Sequence, residues 1–225
     1  MNDPSRERIN ETFVSGLERR WLPRMAAALP PWVTPDTLTL VGLAGAGLIA
    51  VAYHLAGTDA AWLWLASAGF VVHWWGDSLD GTLARVRDIR RERYGFFVDQ
   101  MADVLAVLAI FTGLGTGGML HPLLAMGMAM GYLLLFNLVN MVTVARGVYK
   151  ISFVGGGPTE LRLLLILVNT AAWALAPRTF TLFGHAWTPF EVFALVAVPG
   201  LLLLFLGSAA REWRLLATLD PPPKR

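Results

Sequence analysis

The sequence predicts an all-α integral membrane fold: six transmembrane helices, preceded by an N-terminal amphipathic helix lying at the interface. Of 225 residues, 56% are hydrophobic and 15% charged, against about 45–50% and about 25% in an ordinary soluble domain. The apolar residues gather into six runs, at 37–55, 60–83, 96–113, 120–144, 161–176 and 189–207, each close to the ~20 residues that cross a hydrocarbon core. Seventeen of the eighteen Lys and Arg fall on one side of that arrangement, as the positive-inside rule requires of cytosolic segments. Both termini are therefore expected in the cytosol, with the protein in the plasma (inner) membrane.

The elements follow in order. In residues 1–33, Ile9, Phe13, Leu17, Trp21 and Met25 recur every four positions beside Val14 and Leu22, while Arg6, Arg8, Arg19, Arg20 and Glu18 take the other side. This is the pattern of a helix lying in the membrane surface; packing on the protein's own cytosolic face is the alternative. A cleavable signal peptide does not fit a segment that is charged and broken by Pro4, Pro23 and Pro30. The first span opens at Thr34-Pro35, with Thr34 or Asp36 as helix cap and Pro35 in the first turn. Basic residues cluster before span 1 (with Arg24), between spans 2 and 3 (Arg85, Arg87, Arg90, Arg91, Arg93), around the span 4–5 connection (Arg146, Lys150, Arg162) and after span 6 (Arg211, Arg214, Lys224, Arg225). Arg178 alone lies opposite, where the connections are short and nearly uncharged. Trp32, Trp62, Trp64, Trp173, Trp187 and Trp213 fall near span ends, as an aromatic belt would. Residues 34–210 thus form one six-helix membrane domain, and 211–225, ending in a proline run, a cytosolic tail.

Net charge is +2 and no basic stripe suggests a nucleic-acid partner. The absence of cysteine excludes disulfides, thiolate nucleophiles and zinc-thiolate sites.

The informative stretch runs from Asp77 to Asp103. One carboxylate at a helix centre costs about 2.5–3.5 kcal/mol on insertion scales, and here there are four. Asp77, Asp80, Gly81 and Ala84 stand at i, i+3, i+4 and i+7, and Gly95, Asp99 and Asp103 at i, i+4 and i+8, so each set shares one helix face. Two adjacent helices joined by a short basic turn are expected to point these stripes at each other, with glycine forming a floor without side chains. Crowded carboxylates raise one another's pKa, and a hard divalent cation such as Mg²⁺ resolves the conflict while keeping positions for phosphate oxygens. Arg85, one turn on, suits a diphosphate. Metal-assisted phosphoryl chemistry at the cytosolic surface follows. The bland alternative is a pair of helix–helix hydrogen bonds or a proton relay.

Asp77-x2-Asp80-Gly81-x2-Ala84-Arg85-x9-Gly95-x3-Asp99-x3-Asp103 resembles the signature of the CDP-alcohol phosphotransferase (CDP-alcohol phosphatidyltransferase) family at every fixed position. The resemblance implies transfer of a substituted phosphate from a CDP-alcohol donor to the hydroxyl of a lipid or alcohol acceptor, with release of CMP. It implies two Mg²⁺ or Mn²⁺ ions held by Asp77, Asp80, Asp99 and Asp103, with Asp103, beside Asp99, as the base. By the same resemblance Gly81, Ala84 and Arg85 contact the nucleotide diphosphate, Gly95 keeps the two helices close, and the protein is a homodimer. Thr34, Pro35, Asp36 and Thr39 echo a second nucleotide-side motif of the family, from which Asp36 departs by replacing an amide with an acid.

The family divides between CDP-diacylglycerol donors with polar acceptors and CDP-choline or CDP-ethanolamine donors with lipid acceptors. Gly157-Pro158-Thr159-Glu160 resembles a segment of the second branch, and Glu160 suits an ammonium head group, so the expectation leans to a CDP-amino-alcohol donor. Against it, Arg146, Lys150 and Arg162 suit an anionic acceptor, and Glu160 also suits a helix start with no ligand. Asn137 and Asn140 are candidate pocket polars, and His73, four residues before Asp77, is either its orienter or a satisfied core histidine. A divalent-cation or proton carrier, and an intramembrane prenyltransferase, are the competing functions. The carrier predicts acids spread across the membrane, whereas all four lie near the basic turn.

Overall fold

The computed structural model describes residues 8–9, 15–146, 149–150, 157–175, 180–182 and 185–222. Among them the helices are α1 (Ser15–Ala28), α2 (Pro35–Ala56), α3 (Trp62–Val86), α4 (Glu92–Thr116), α5 (Pro122–Arg146), α6 (Pro158–Leu175) and α7 (Pro189–Leu219). Short strands add a parallel pair, β1 (Arg8–Ile9) with β2 (Tyr149–Lys150), and an antiparallel pair, β3 (Phe180–Leu182) with β4 (His185–Trp187). Four helices, α2, α4, α5 and α7, are long and apolar enough to cross a membrane. The other two long helices carry polar residues inward: His73, Asp77 and Asp80 on α3, Arg162 and Asn169 on α6.

Local chemistry sets the helix ends. Thr34 caps α2 by accepting from Thr37 N at 3.2 Å, with Pro35 in the first turn where its missing N–H costs nothing. Thr188 and Glu191 form a capping box on α7. That helix continues beyond 207 to Leu219, so Arg211 and Arg214 are helical, and Arg146 of α5 grips Glu212 at 2.7 Å.

The N-terminal helix differs from the periodic reading. It begins at Ser15, and Ile9 lies instead in β1; Phe13, Val14, Arg6, Arg178, Lys224 and Arg225 fall outside the described residues. A four-residue repeat marks a face but says nothing about where the backbone starts to coil. Leu22 and Ala26 are buried with Val33, Leu38, Leu79 and Leu83 in a small cluster at one end of α2 and α3. Leu17 and Trp21 stay outside, at 62% and 54% exposure. Glu18 is not on the wet side: its Oε1 accepts from Trp74 Nε1 of α3 at 2.9 Å and from Thr159 Oγ1 of α6 at 2.7 Å.

α2 is the central element and packs against both α3 and α4. The α2–α3 contact is backbone on backbone. A Cβ on Gly45 would stand 2.6 Å from His73 N, and one on Gly76 would stand 2.5 Å from Leu38 O, so only glycine permits this approach. A larger apolar cluster fills the other end around Tyr53, Phe70, Leu114 and Phe190. There the Tyr53 hydroxyl donates to Asn169 Oδ1 at 2.9 Å, and Asn169 Nδ2 donates to Ser67 Oγ at 3.1 Å, satisfying buried polar groups of α2, α6 and α3 in one chain. At the α3–α4 turn, Arg87 donates to Val33 O, Leu29 O and Pro30 O at 2.6, 2.8 and 2.9 Å. These carbonyls lie in the connection between α1 and α2, where Pro30 O also accepts from Val33 N at 3.1 Å.

The glycine expected to hold the carboxylate helices together does not do so: Gly95 is exposed, and a Cβ there would meet nothing within 4 Å. Gly76→Ala should therefore destabilise the protein by about 1–3 kcal/mol, while Gly95→Ala should leave stability unchanged or slightly raised. Thermal unfolding of both variants in detergent measures this, and a Gly76→Ala protein as stable as its parent would overturn the close-packed seam.

Candidate active site

Helical phase puts Asp77 and Asp80 on one face of α3, and Asp99 and Asp103 on one face of α4, and the fold brings the two faces to one small cavity. Its lining is Thr39, Gly42 and Leu43 of α2, His73, Asp77 and Asp80 of α3, and Asp99, Ala102 and Asp103 of α4. The stripes therefore meet, but not by packing α3 on α4. Both helices rest mainly on α2, which supplies the cavity's third wall. Gly81 and Ala84, expected as the floor, lie further along α3, and the bare surface is that of Gly42.

Each carboxylate of α3 is held by specific donors. Asp80 is buried; its Oδ2 accepts from Thr39 Oγ1 at 2.7 Å, and its Oδ1 accepts from Gly81 N at 2.5 Å. Asp77 Oδ2 accepts from Arg162 Nη2 of α6 at 2.6 Å. His73, buried on the same helix, touches the Gly42 carbonyl through Nδ1 at 3.0 Å and lies 3.4 Å from Arg162 Nη2 through Nε2. It thus orients Arg162, which in turn holds Asp77. On α4, Asp99 Oδ2 accepts from Gln100 Nε2 at 3.4 Å, and Gln100 Oε1 accepts from Asn140 Nδ2 of α5 at 2.8 Å.

The donor set fits a hard cation in chemistry: four carboxylates and a hydroxyl supply oxygen, there is no thiolate, and the one imidazole of the lining, His73, is engaged with the Gly42 carbonyl and Arg162. Its arrangement is not a finished coordination shell, since among the described residues no three acidic or imidazole groups converge as metal ligands do. Arg162, Thr39 and the Gly81 amide draw the carboxylates to their own donors instead.

The remaining expected residues are dispersed. Arg85 is exposed beyond Gly81 and donates to Thr82 Oγ1 at 2.8 Å. Thr34 and Pro35 start α2, and Asp36 accepts from the Tyr94 hydroxyl at 3.3 Å, across to the start of α4. Arg146 is engaged with Glu212 rather than the cavity. Asn137 faces outward, and the side chain of Lys150 lies outside the described residues. Glu160 Oε2 accepts from Gly157 N at 3.0 Å, closing the first turn of its own helix.

Sequence reasoning missed Glu18, Gln100 and the pairing of Thr39 with Asp80. A signal for Glu18 existed: it lies four residues before buried Leu22 and shares its face.

A sequence profile of the CDP-alcohol phosphatidyltransferase family matches residues 32–219. The chain is also similar to a phosphatidylinositol phosphate synthase of Cutibacterium acnes, with 36% identity over 103 residues, 46% of this chain and 47% of that protein. The match thus spans about half the length of that relative.

If Glu160 serves its own helix, Glu160→Gln, which keeps an acceptor oxygen, should leave thermal stability within about 0.5 kcal/mol, and Glu160→Ala should lower it by about 1 kcal/mol. Equal losses in both variants would point away from capping.

Proposed function

The chain belongs to the CDP-alcohol phosphatidyltransferase family, and from that premise we propose that it transfers a phosphatidyl group from CDP-diacylglycerol to a polar alcohol, releasing CMP, in phospholipid synthesis. The observation that carries this reading is the single cavity lined by Asp77, Asp80, Asp99 and Asp103. Two points move the donor away from the CDP-choline or CDP-ethanolamine type. Glu160, the residue that suggested an ammonium head group, bonds to Gly157 N. The similar protein from Cutibacterium acnes is named for a phosphatidyl product. Arg162, a cation reaching the cavity wall, suits an acceptor that itself carries a phosphate.

In this reading the four aspartates hold two Mg²⁺ or Mn²⁺ ions, which when bound supply Lewis-acid neutralisation of the diphosphate and the departing CMP. The chain does the rest. Thr39 and the Gly81 amide fix the Asp80 carboxylate, and Arg85 beyond Gly81 receives the nucleotide diphosphate. Asp103 accepts the proton of the acceptor hydroxyl as its oxygen bonds to the phosphatidyl phosphorus. The bond from that phosphorus to the bridging oxygen breaks, and the oxygen leaves with CMP.

The same proposal places α2 to α7 across the membrane as six spans, with α1 at the cytosolic surface and the protein as a homodimer. The support for the spans is the charge asymmetry, since the six-span reading puts seventeen of the eighteen basic residues on one side. All four aspartates lie beside the basic α3–α4 turn at that one face, which supports an enzyme over a permeation path.

Purified protein with Mg²⁺ should release CMP from CDP-diacylglycerol when given an alcohol phosphate such as inositol phosphate or glycerol phosphate, and Asp103→Asn should lower kcat by about 10²–10⁴. CMP release from CDP-choline with diacylglycerol instead would overturn the donor assignment. Undiminished release in both Asp99→Ala and Asp103→Ala would overturn the site.

A further inference from the structure

Arg162 occupies an unusual position for a basic residue of a membrane chain. It is five residues into α6, and it points at the carboxylate cavity rather than the water: its side chain is 12% exposed and Asp77's 24%. It is held from two directions. Nη2 donates to Asp77 Oδ2 at 2.6 Å and lies 3.4 Å from His73 Nε2. The other ring nitrogen, Nδ1, is 3.0 Å from the Gly42 carbonyl, which can only accept, so Nδ1 carries the proton and Nε2 is left as an acceptor for the guanidinium. Gly42 belongs to the α2–α3 seam, where the helix backbones are in contact. The guanidinium is thus tied through the histidine to the closely packed α2–α3 seam.

This arrangement conflicts with a second cation at the same carboxylate. A divalent ion coordinated by Asp77 would stand a few Å from the guanidinium carbon, and at an effective dielectric of about 20 that repulsion costs well over tenfold in affinity. The geometry points to Arg162 as a built-in counter-ion of Asp77, one that competes with the divalent cation for this carboxylate and leaves it when the cation is seated. The inference rests on the metal reading given above and adds an order to it. The cation arrives first at Asp77, and the guanidinium, displaced toward the open side of the cavity, is then free to pair with an anion. His73 is the positioning residue that returns Arg162 to Asp77.

Mn²⁺ binding to the full-length protein in detergent, followed by the loss of the free-ion EPR signal, tests this without relying on turnover. Arg162→Gln should bind Mn²⁺ at least about tenfold more tightly than the parent, and the gain should largely disappear in an Asp77→Asn background. Unchanged or weaker binding in Arg162→Gln would overturn the counter-ion role. If neither protein takes up Mn²⁺, the metal reading falls and the inference with it. Should Arg162→Gln fail to fold, the parent protein decides: modification of Arg162 by phenylglyoxal, read by peptide mass spectrometry, should be faster with Mn²⁺ than without. Equal or slower modification would sink the proposal.

Discussion

Four carboxylates drawn to one cavity inside an apolar chain repel one another, and partial burial weakens the screening between them. Much of the structure around them answers that repulsion. Thr39 comes from α2, the Gly81 amide from α3 itself, Gln100 from α4 and the guanidinium of Arg162 from α6. No single helix could supply all of these. The site requires α6 to lie over α3, and it requires α2 to reach both α3 and α4. The stretch of α2 that faces the cavity is Thr39, Gly42 and Leu43: the hydroxyl of Thr39 bonds Asp80, Gly42 leaves bare backbone, and the buried apolar cluster of α2 lies further along, toward Ile49 and Tyr53.

The two ends of the bundle are built differently for this reason. At the far end, Phe70 and Phe190 each meet Tyr53 edge to face at ring distances of 6.2 and 5.8 Å, and the polar chain through Asn169 ends on the Leu63 carbonyl. At the cavity end the apolar cluster is small and sits to one side, under α1. Rigidity there comes from backbone contact at Gly45 and Gly76, and from the clasp of Arg87 on the carbonyls that join α1 to α2. Those devices fix the helix frame while leaving the acidic side chains to be positioned by hydrogen bonds, an arrangement in which partners can be exchanged without repacking a core.

Much of this was legible in the residues. The six apolar runs became α2 to α7 with ends shifted by a few positions, apart from α7, which runs twelve residues past its apolar run, because hydropathy follows burial while helix ends follow caps such as Thr34 and Thr188. The aspartate faces were legible too, since phase within a helix is a local property. Which helix stands opposite is not local. The reading that α3 and α4 face each other directly missed α2 between them, and with it the role of Thr39. Gly95 was assigned a packing role that the seam glycines of α2 and α3 perform. The meeting of Arg162 with Asp77 was not legible, because the two lie 85 residues apart and no periodicity links them. Arg146, expected to suit an anionic acceptor, proved to be an α5–α7 tie.

Glu18 has a bearing on how the chain is completed. It receives one hydrogen bond from Trp74 and one from Thr159, residues 56 and 141 positions later in the chain. Synthesis runs from the N-terminus, so α1 is made before α3 and α6, and the last of these two partners does not exist until α6 has been added. The first of the described helices is therefore locked only once α6 is in place. Through Thr159, in the first turn of the helix that carries Arg162, its docking ties α1 to the element that holds Asp77.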